Sequence, residues 1–222
     1  MRVRAIKELA LYLKETNLIQ VINMDIKFTK DTIEFEKEFS SLDNFALDFV
    51  SILDRVGIKY VVISGYVSIL FGRNRTSEDI DLIAQKTDFA KFSALWNEIS
   101  KEFECVNASA KEDAYKGYLL TGHALRFSRK GEFIPNIEFK FPKAELDFWT
   151  LNNSKKVIVN HKSILISPLE LQIPFKLFLG SEKDIEDARH LYGLFKGKIN
   201  TNLMMEFCRK LKVEGAFRRY LP

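Results

Sequence analysis

Arg75-Thr-Ser-Glu-Asp79-Ile-Asp81-Leu-Ile-Ala84 decides how this chain is read. From Asp79 on, carboxylates alternate with apolar residues at the two-residue period of a strand. Asp79 and Asp81 therefore project from one face, and Ile80, Leu82 and Ala84 from the other. Carboxylates held side by side repel unless positive charge lies between them. Hard oxygen ligands with few other protein donors favour Mg²⁺ (or Mn²⁺) in that role. The plain alternative is a solvated strand face on which acidic residues happen to alternate.

The residues upstream favour the metal. Lys59-Tyr-Val-Val-Ile63 is short, β-branched and apolar, as a buried strand is, and Tyr66–Phe71 reads as a short helix ending at Gly72. Ser64-Gly65 lies at the junction of the two. Glycine there permits close backbone approach, and the first turn of a helix offers unpaired N–H groups to an anion. An anion cradle and a metal-ligand pair on neighbouring strands suit phosphoryl or nucleotidyl transfer. Neither GxxxxGK[ST] nor GxGxxG occurs, so this is not a P-loop or a dinucleotide fingerprint.

Outward from this motif the pattern is mixed. Asp25–Phe39 alternates like a short strand pair turning near Lys30-Asp31, and Leu42–Arg55 carries a helical apolar stripe stopped by Gly57. A helix over 88–101, a strand over Phe103–Asn107 and a hairpin from His123–Ser128 and Ile134–Phe141 follow. From Pro168 onward the periodicity is helical, near 168–179, 182–196, 200–211 and 213–220, with Ser167 as N-cap. The expectation is an α+β (α/β) fold: a small mixed β-sheet core flanked by helices, then a C-terminal helical bundle. Residues 1–40 form an extension, 41–166 the catalytic unit and 167–222 the helical unit, joined around 150–167.

Composition bounds the rest. The 222 residues are 46% apolar and 29% charged, an ordinary globular balance, and the 19 phenylalanines point to a well-filled core. Two cysteines with no metal spacing make neither a disulfide framework nor a zinc site, and a reducing, cytoplasmic compartment is expected. The first fourteen residues mix charges with Val3, Ile6, Ala10 and Leu13, which suggests an amphipathic helix over 2–20 rather than a signal peptide. No run is long enough for a membrane span. Net charge is +4, and residues 189–222 alone carry eight basic and two acidic side chains. Such asymmetry suits either a polyanion-binding surface or a solvated helical face.

Ile63–Leu82 resembles the signature of the DNA polymerase β-like nucleotidyltransferase superfamily: a small-residue pair, a short helix, then a hydrophobic-Asp-hydrophobic-Asp strand. Gly72-Arg-Asn-Arg75-Thr76-Ser-Glu-Asp79-Ile-Asp81-Leu82 is most similar to minimal nucleotidyltransferases of the AbiEii toxin type. Ser64 stands where the first glycine of the usual pair would be, so the backbone there must suit a residue with a Cβ. The resemblance implies a third carboxylate on a later strand. Glu138 in Ile137-Glu-Phe-Lys-Phe141 is the first candidate and Asp147, in a stretch that reads as helix, the second. Pro168–Asp187 is similar to the family's Lys…Lys-Asp-x-x-Asp segment, with Ser181 in place of a common arginine.

That resemblance implies a metal-dependent enzyme moving a nucleoside monophosphate from an NTP, ATP among them, to an acceptor hydroxyl, with release of pyrophosphate. Asp79, Asp81 and Glu138 are the expected catalytic and metal residues. Ser64, Gly65, Thr76, Lys176, Asp184 and Asp187 are the expected nucleotide contacts. Arg75 is expected to brace its loop. Asp184 and Asp187 have a second reading, as acidic residues complementing a helix N-terminus. The implied partners are an NTP, a tRNA or other RNA acceptor and an antitoxin protein, with no membrane. A small-molecule or protein acceptor is the alternative enzyme, and a non-catalytic nucleotide-binding or interaction protein the alternative of another class.

Overall fold

The computed structural model describes residues 25–29 and 32–221; the helix expected over 2–20 and the turn at Lys30-Asp31 lie outside them. Among the described residues one mixed sheet holds β1 Lys27–Phe28, β2 Thr32–Phe35, β3 Tyr60–Val62, β4 Asp79–Ala84, β5 Phe103–Cys105, β6 Leu125–Arg129, β7 Asn136–Lys140, β8 Lys155–Val159 and β9 Lys162–Ile166. The strand order is β1-β2-β8-β9-β3-β4-β7-β6-β5. Both parallel pairs (β4 with β7, β3 with β9) and antiparallel pairs (β3 with β4, β6 with β7) occur, so the fold is α+β.

Helix α1, Ser41–Val56, starts at a reciprocal cap between Ser40 and Asp43 and stops where Gly57 turns left-handed, at φ 67°. Helices α2 (Gly65–Leu70) and α3 (Phe89–Ile99) follow β3 and β4. A turn at Lys111–Asp113 runs into a π-helical segment, Ala114–Leu119. Then come α4 (Glu145–Asn152), α5 (Leu169–Leu179), α6 (Glu182–Phe195), α7 (Thr201–Lys210) and α8 (Glu214–Tyr220).

Phenylalanines fill the core as expected. Phe49 meets Phe103 edge-on with ring centroids 5.2 Å apart, and Phe71 meets Phe195 at 4.8 Å. One continuous apolar cluster joins sheet residues such as Phe35, Leu82 and Ile166 to Ile173, Leu191, Phe195 and Met204 of the C-terminal helices.

The stretch expected to join two units, 150–167, is instead the β8–β9 hairpin, set inside the sheet between β2 and β3. Val157, Val159, Ile164 and Ile166 are fully buried there. Asn160 and His161, both at positive φ, make its two-residue turn, so the alternation around Asn160-His161 was a legible hairpin signal. Ser167 is not the N-cap of α5. Its N–H extends the pairing to β3 by bonding Val62 O at 2.9 Å, and Pro168 takes the cap position.

Candidate active site

The two faces of the sheet are covered unequally. Ile80, Leu82 and Ala84 of β4 point into the main core, while Ile83 points the other way, into a small cluster with Val61 and Leu151 beneath α4. Asp79 and Asp81 share that second face but lie towards the strand's open end. Asn136, Glu138 and Lys140 of β7, which are partly exposed, alternate with buried Ile137 and Phe139. Arg126 of β6 is paired directly opposite Glu138.

Register sets Asp81 and Glu138 side by side on the backbone. β4 and β7 run parallel with Asp81 opposite Glu138 and Asp79 opposite Asn136. Burial raises the pKa of Asp81 above the ordinary carboxylate range, and the charges of Glu138 and Asp79 add to that. Lys140 and a hydrogen bond from Ser64 act against it. The Lys140 ammonium is 3.9 Å from Asp81 Oδ1. Arg126 donates from Nε at 3.0 Å and Nη2 at 2.7 Å, both to Oε1 of Glu138.

Among the described residues no group of three or more His, Cys, Asp or Glu side chains is drawn into a metal-holding cluster. Carboxylate oxygen is the donor type a divalent cation takes, but among the described residues the three side chains do not converge into a ligand set. Three hard-oxygen donors share an open face, and Asp81 is under-compensated by a distant lysine and a neutral hydroxyl. Asp147 does different work. It accepts from the N–H groups of Lys143 and Ala144, both at 2.9 Å, and so caps α4.

Ser64 sits at φ 64°, ψ −136°, a backbone region that glycine occupies freely and a residue with a Cβ enters at a cost of about 1–3 kcal/mol. Gln172 of α5 holds it there. Ser64 N–H donates to Gln172 Oε1 at 3.3 Å, and Gln172 Nε2 donates to Ser64 O at 2.7 Å. Gln172 is only 2% exposed. Nothing in a lone glutamine marks it in sequence; a buried polar residue on an otherwise apolar helix face was the available hint. Tyr66 is tied down as well, its hydroxyl donating to buried Asp43 at 2.9 Å.

Gly65 is glycine for a visible reason. A Cβ there would lie 2.1 Å from Nη2 of Arg75. Arg75 forks onto Asp187 with two bonds of 3.0 Å. Asp187 also pairs with Lys176 at 3.0 Å, and Lys176 with Asp184 at 2.7 Å. Lys176 is 1% exposed and Asp187 0%. Burial works against the ionised form of Asp184, but the hydrogen bonds from Lys176 and Ser181 and the lysine charge prevail and hold its pKa low. Lys176, Asp184 and Asp187 are thus gathered into one enclosed network behind the Gly65–Arg75 loop. Arg75 braces that loop, and Thr76 is exposed beside it, its carbonyl accepting from Arg75 Nη1 at 3.2 Å.

A cleft of about 300 Å³ opens on the β6–β7 side of the carboxylates. Glu78, Asp79, Arg126, Asn136 and Glu138 supply its polar wall, and Val106, Phe133 and Ile134 its apolar one. Phe133 is 76% exposed. The side-chain oxygen of Asn136 is buried without a hydrogen-bond partner.

Other aromatic and histidine side chains serve packing. Tyr115 is buried against Phe89, Phe92 and Phe141, its hydroxyl on Thr87 O at 2.7 Å. Trp96 packs on Phe127 and Trp149 on Phe207. His190 contacts Phe71 O at 2.9 Å, and burial lowers its pKa. No helix among the described residues is long and apolar enough to cross a membrane.

No family model matches the chain, and no curated protein matches it. A solved structure is similar. It is described as an antigenic nucleotidyltransferase-like protein from Paracoccidioides brasiliensis, with 17% identity and a TM-score of 0.49, over 82% of this chain and 94% of that one.

Proposed function

We propose that this chain is a metal-dependent nucleotidyltransferase, moving an NMP from an NTP to an acceptor hydroxyl with release of pyrophosphate. One observation carries the reading: Asp81 and Glu138 are register partners on adjacent parallel strands, with Asp79 on the same open face. Asp79, Asp81 and Glu138 would hold Mg²⁺ or Mn²⁺, which when bound neutralises charge on the triphosphate and the departing pyrophosphate.

The chain's own residues do the rest. The Ser64–Gly65 turn, pinned by Gln172, faces the outer phosphates. Glu138 takes the proton of the attacking hydroxyl. Lys176, Asp184 and Asp187 serve the nucleotide from behind, by fixing Arg75 and with it the approach to Gly65. An RNA acceptor draws support from the basic C-terminal segment, where phosphate neutralisation is a direct source of affinity.

The test is label transfer from α-³²P-NTPs with Mg²⁺ and total RNA. Asp79→Asn and Asp81→Asn are each expected to lower transfer about a hundredfold or more, with thermal stability retained. Transfer that persists in both variants overturns the metal site. NTP binding without turnover over a broad acceptor range would point to the non-catalytic reading.

A further inference from the structure

The cleft beside Glu138 lies across the carboxylates from the Ser64–Gly65 turn. The turn follows β3, the carboxylates sit on β4 and β7, and the cleft is built on β7, β6 and the loop between them. Resting on the nucleotidyltransferase reading, we propose that this cleft is the acceptor subsite and that it takes an anionic acceptor with a planar ring, of the nucleoside-phosphate class, with Arg126 as a latch that this anion opens.

Three observations converge on it. Both nitrogens that Arg126 offers are on Glu138 Oε1, at 2.7 and 3.0 Å, which leaves Oε2 open but sets the guanidinium charge directly against the group that is to take the proton. The Arg126 side chain is 56% exposed and its neighbours on the sheet, Val106 and Asn107, engage only its backbone. A phosphate entering the cleft competes for the guanidinium and draws it off Glu138. A polycationic acceptor has no group that would do so. Second, the exposed Phe133 ring, with Ile134 and Val106, offers a flat apolar platform in the same cleft. Third, Asn136 Oδ1 is a buried acceptor with no partner, while its Nδ2 is spent on Glu78 O at 3.3 Å. Asn136 lines the cleft, and a small shift of its side chain would present that acceptor to a ring N–H or a sugar hydroxyl.

The reaction then runs with its atoms balanced. The acceptor hydroxyl oxygen bonds to the α-phosphorus of the NTP, and its proton passes to Glu138. The bond from that phosphorus to the bridging oxygen of the β-phosphate breaks, and pyrophosphate leaves with the electron pair. Binding of the anion thereby draws the guanidinium charge away from the base that takes the proton.

The test uses the full chain, with AMP as the anionic probe, adenosine as its neutral counterpart and kanamycin as the polycation. Titration of AMP alone, followed by calorimetry, is expected to weaken about tenfold in Phe133→Ala, the loss of one stacking platform, and comparably in Arg126→Gln. Label transfer from an NTP should favour AMP over adenosine and kanamycin in the parent chain. In Arg126→Gln that preference should reverse between AMP and adenosine, because the latch is gone and the anion has lost its partner. A purely structural arginine would not invert acceptor charge preference. Phe133→Leu, which keeps apolar bulk at an exposed position, guards against loss of fold and should weaken AMP less than alanine does. AMP binding unchanged in Phe133→Ala and Arg126→Gln, or kanamycin preferred over AMP, overturns the proposal. If the chain also fails to bind any NTP with Mg²⁺, the nucleotidyltransferase reading itself has failed; if NTP binding persists, only the acceptor assignment has.

Discussion

Two clusters of carboxylates and cations lie on either side of the Ser64–Gly65 turn, and they are built differently. Behind it, Asp184 and Asp187 share Lys176 and Arg75 at 2.7–3.0 Å, almost wholly out of water. In front, Asp79, Asp81 and Glu138 stand on an open face, with Lys140 at 3.9 Å and an exchangeable Arg126. The closed cluster is charge-matched at hydrogen-bond distance and holds a loop. The open one is paired more loosely and in more contact with water, Glu138 with Arg126 at 2.7 Å and Asp81 with Lys140 at 3.9 Å. Residue type does not separate them; enclosure and pairing do.

The comparison breaks most visibly at Lys176. Lys176→Met leaves two buried carboxylates short of a partner and is expected to cost about 3–5 kcal/mol, read by chemical denaturation. Asp79→Asn, on the open face, should stay within about 0.5 kcal/mol of the parent. Equal losses in the two would erase the distinction.

Next comes the link between the clusters. Gln172→Ala strands the N–H and carbonyl of Ser64 and removes the clamp, at an expected cost of about 2 kcal/mol. Its sharper readout is a raised KM for the NTP. Ser64→Gly should go the other way. Relief of the strained backbone, less the greater chain entropy of glycine, leaves a gain of about 1 kcal/mol, or a Tm rise of about 2–4 °C.

The smallest effect is in pH dependence, measured in chelator. Asp184, whose pKa is held low, contributes stability that is present above the ordinary aspartate range and lost as pH falls through its folded-state pKa. Asp81, whose pKa is raised, favours the folded state only when protonated. Asp81→Asn should therefore raise Tm at pH 7, and the gain should vanish as pH falls through and below the ordinary aspartate range. A gain in Asp184→Asn at pH 7 would contradict the assignment of that cluster.

Much of the fold could be read directly. Period-two alternation located β4 and β7, and the apolar stripe over Leu42–Arg55 with its stop at Gly57 located α1, because these signals depend on near neighbours. The β8–β9 hairpin was missed because a linker was expected where Lys155–Ile166 alternates around Asn160-His161. Its place between β2 and β3 depends on pairing with strands distant in sequence. Asp79 and Asp81 stood out because charge interrupts an apolar run at a strand's period, and Glu138 entered as the third carboxylate that the resemblance implies. Gln172, Arg126 and Asn136 did not stand out, since an amide or an arginine carries no such pattern until its partner is known.

Taken alone, the order of residues determined which side chains share a strand face, where helices begin and stop, and that paired carboxylates follow a strand–turn–helix unit. Tertiary structure decided which charges are enclosed and which stay open, that Glu138 lies opposite Asp81, and that Gln172 holds a strained serine. The physical reason is distance: local periodicity is written into neighbouring residues. Burial, register and ion pairing between segments as far apart as Ser64 and Gln172 exist only once the chain has closed on itself.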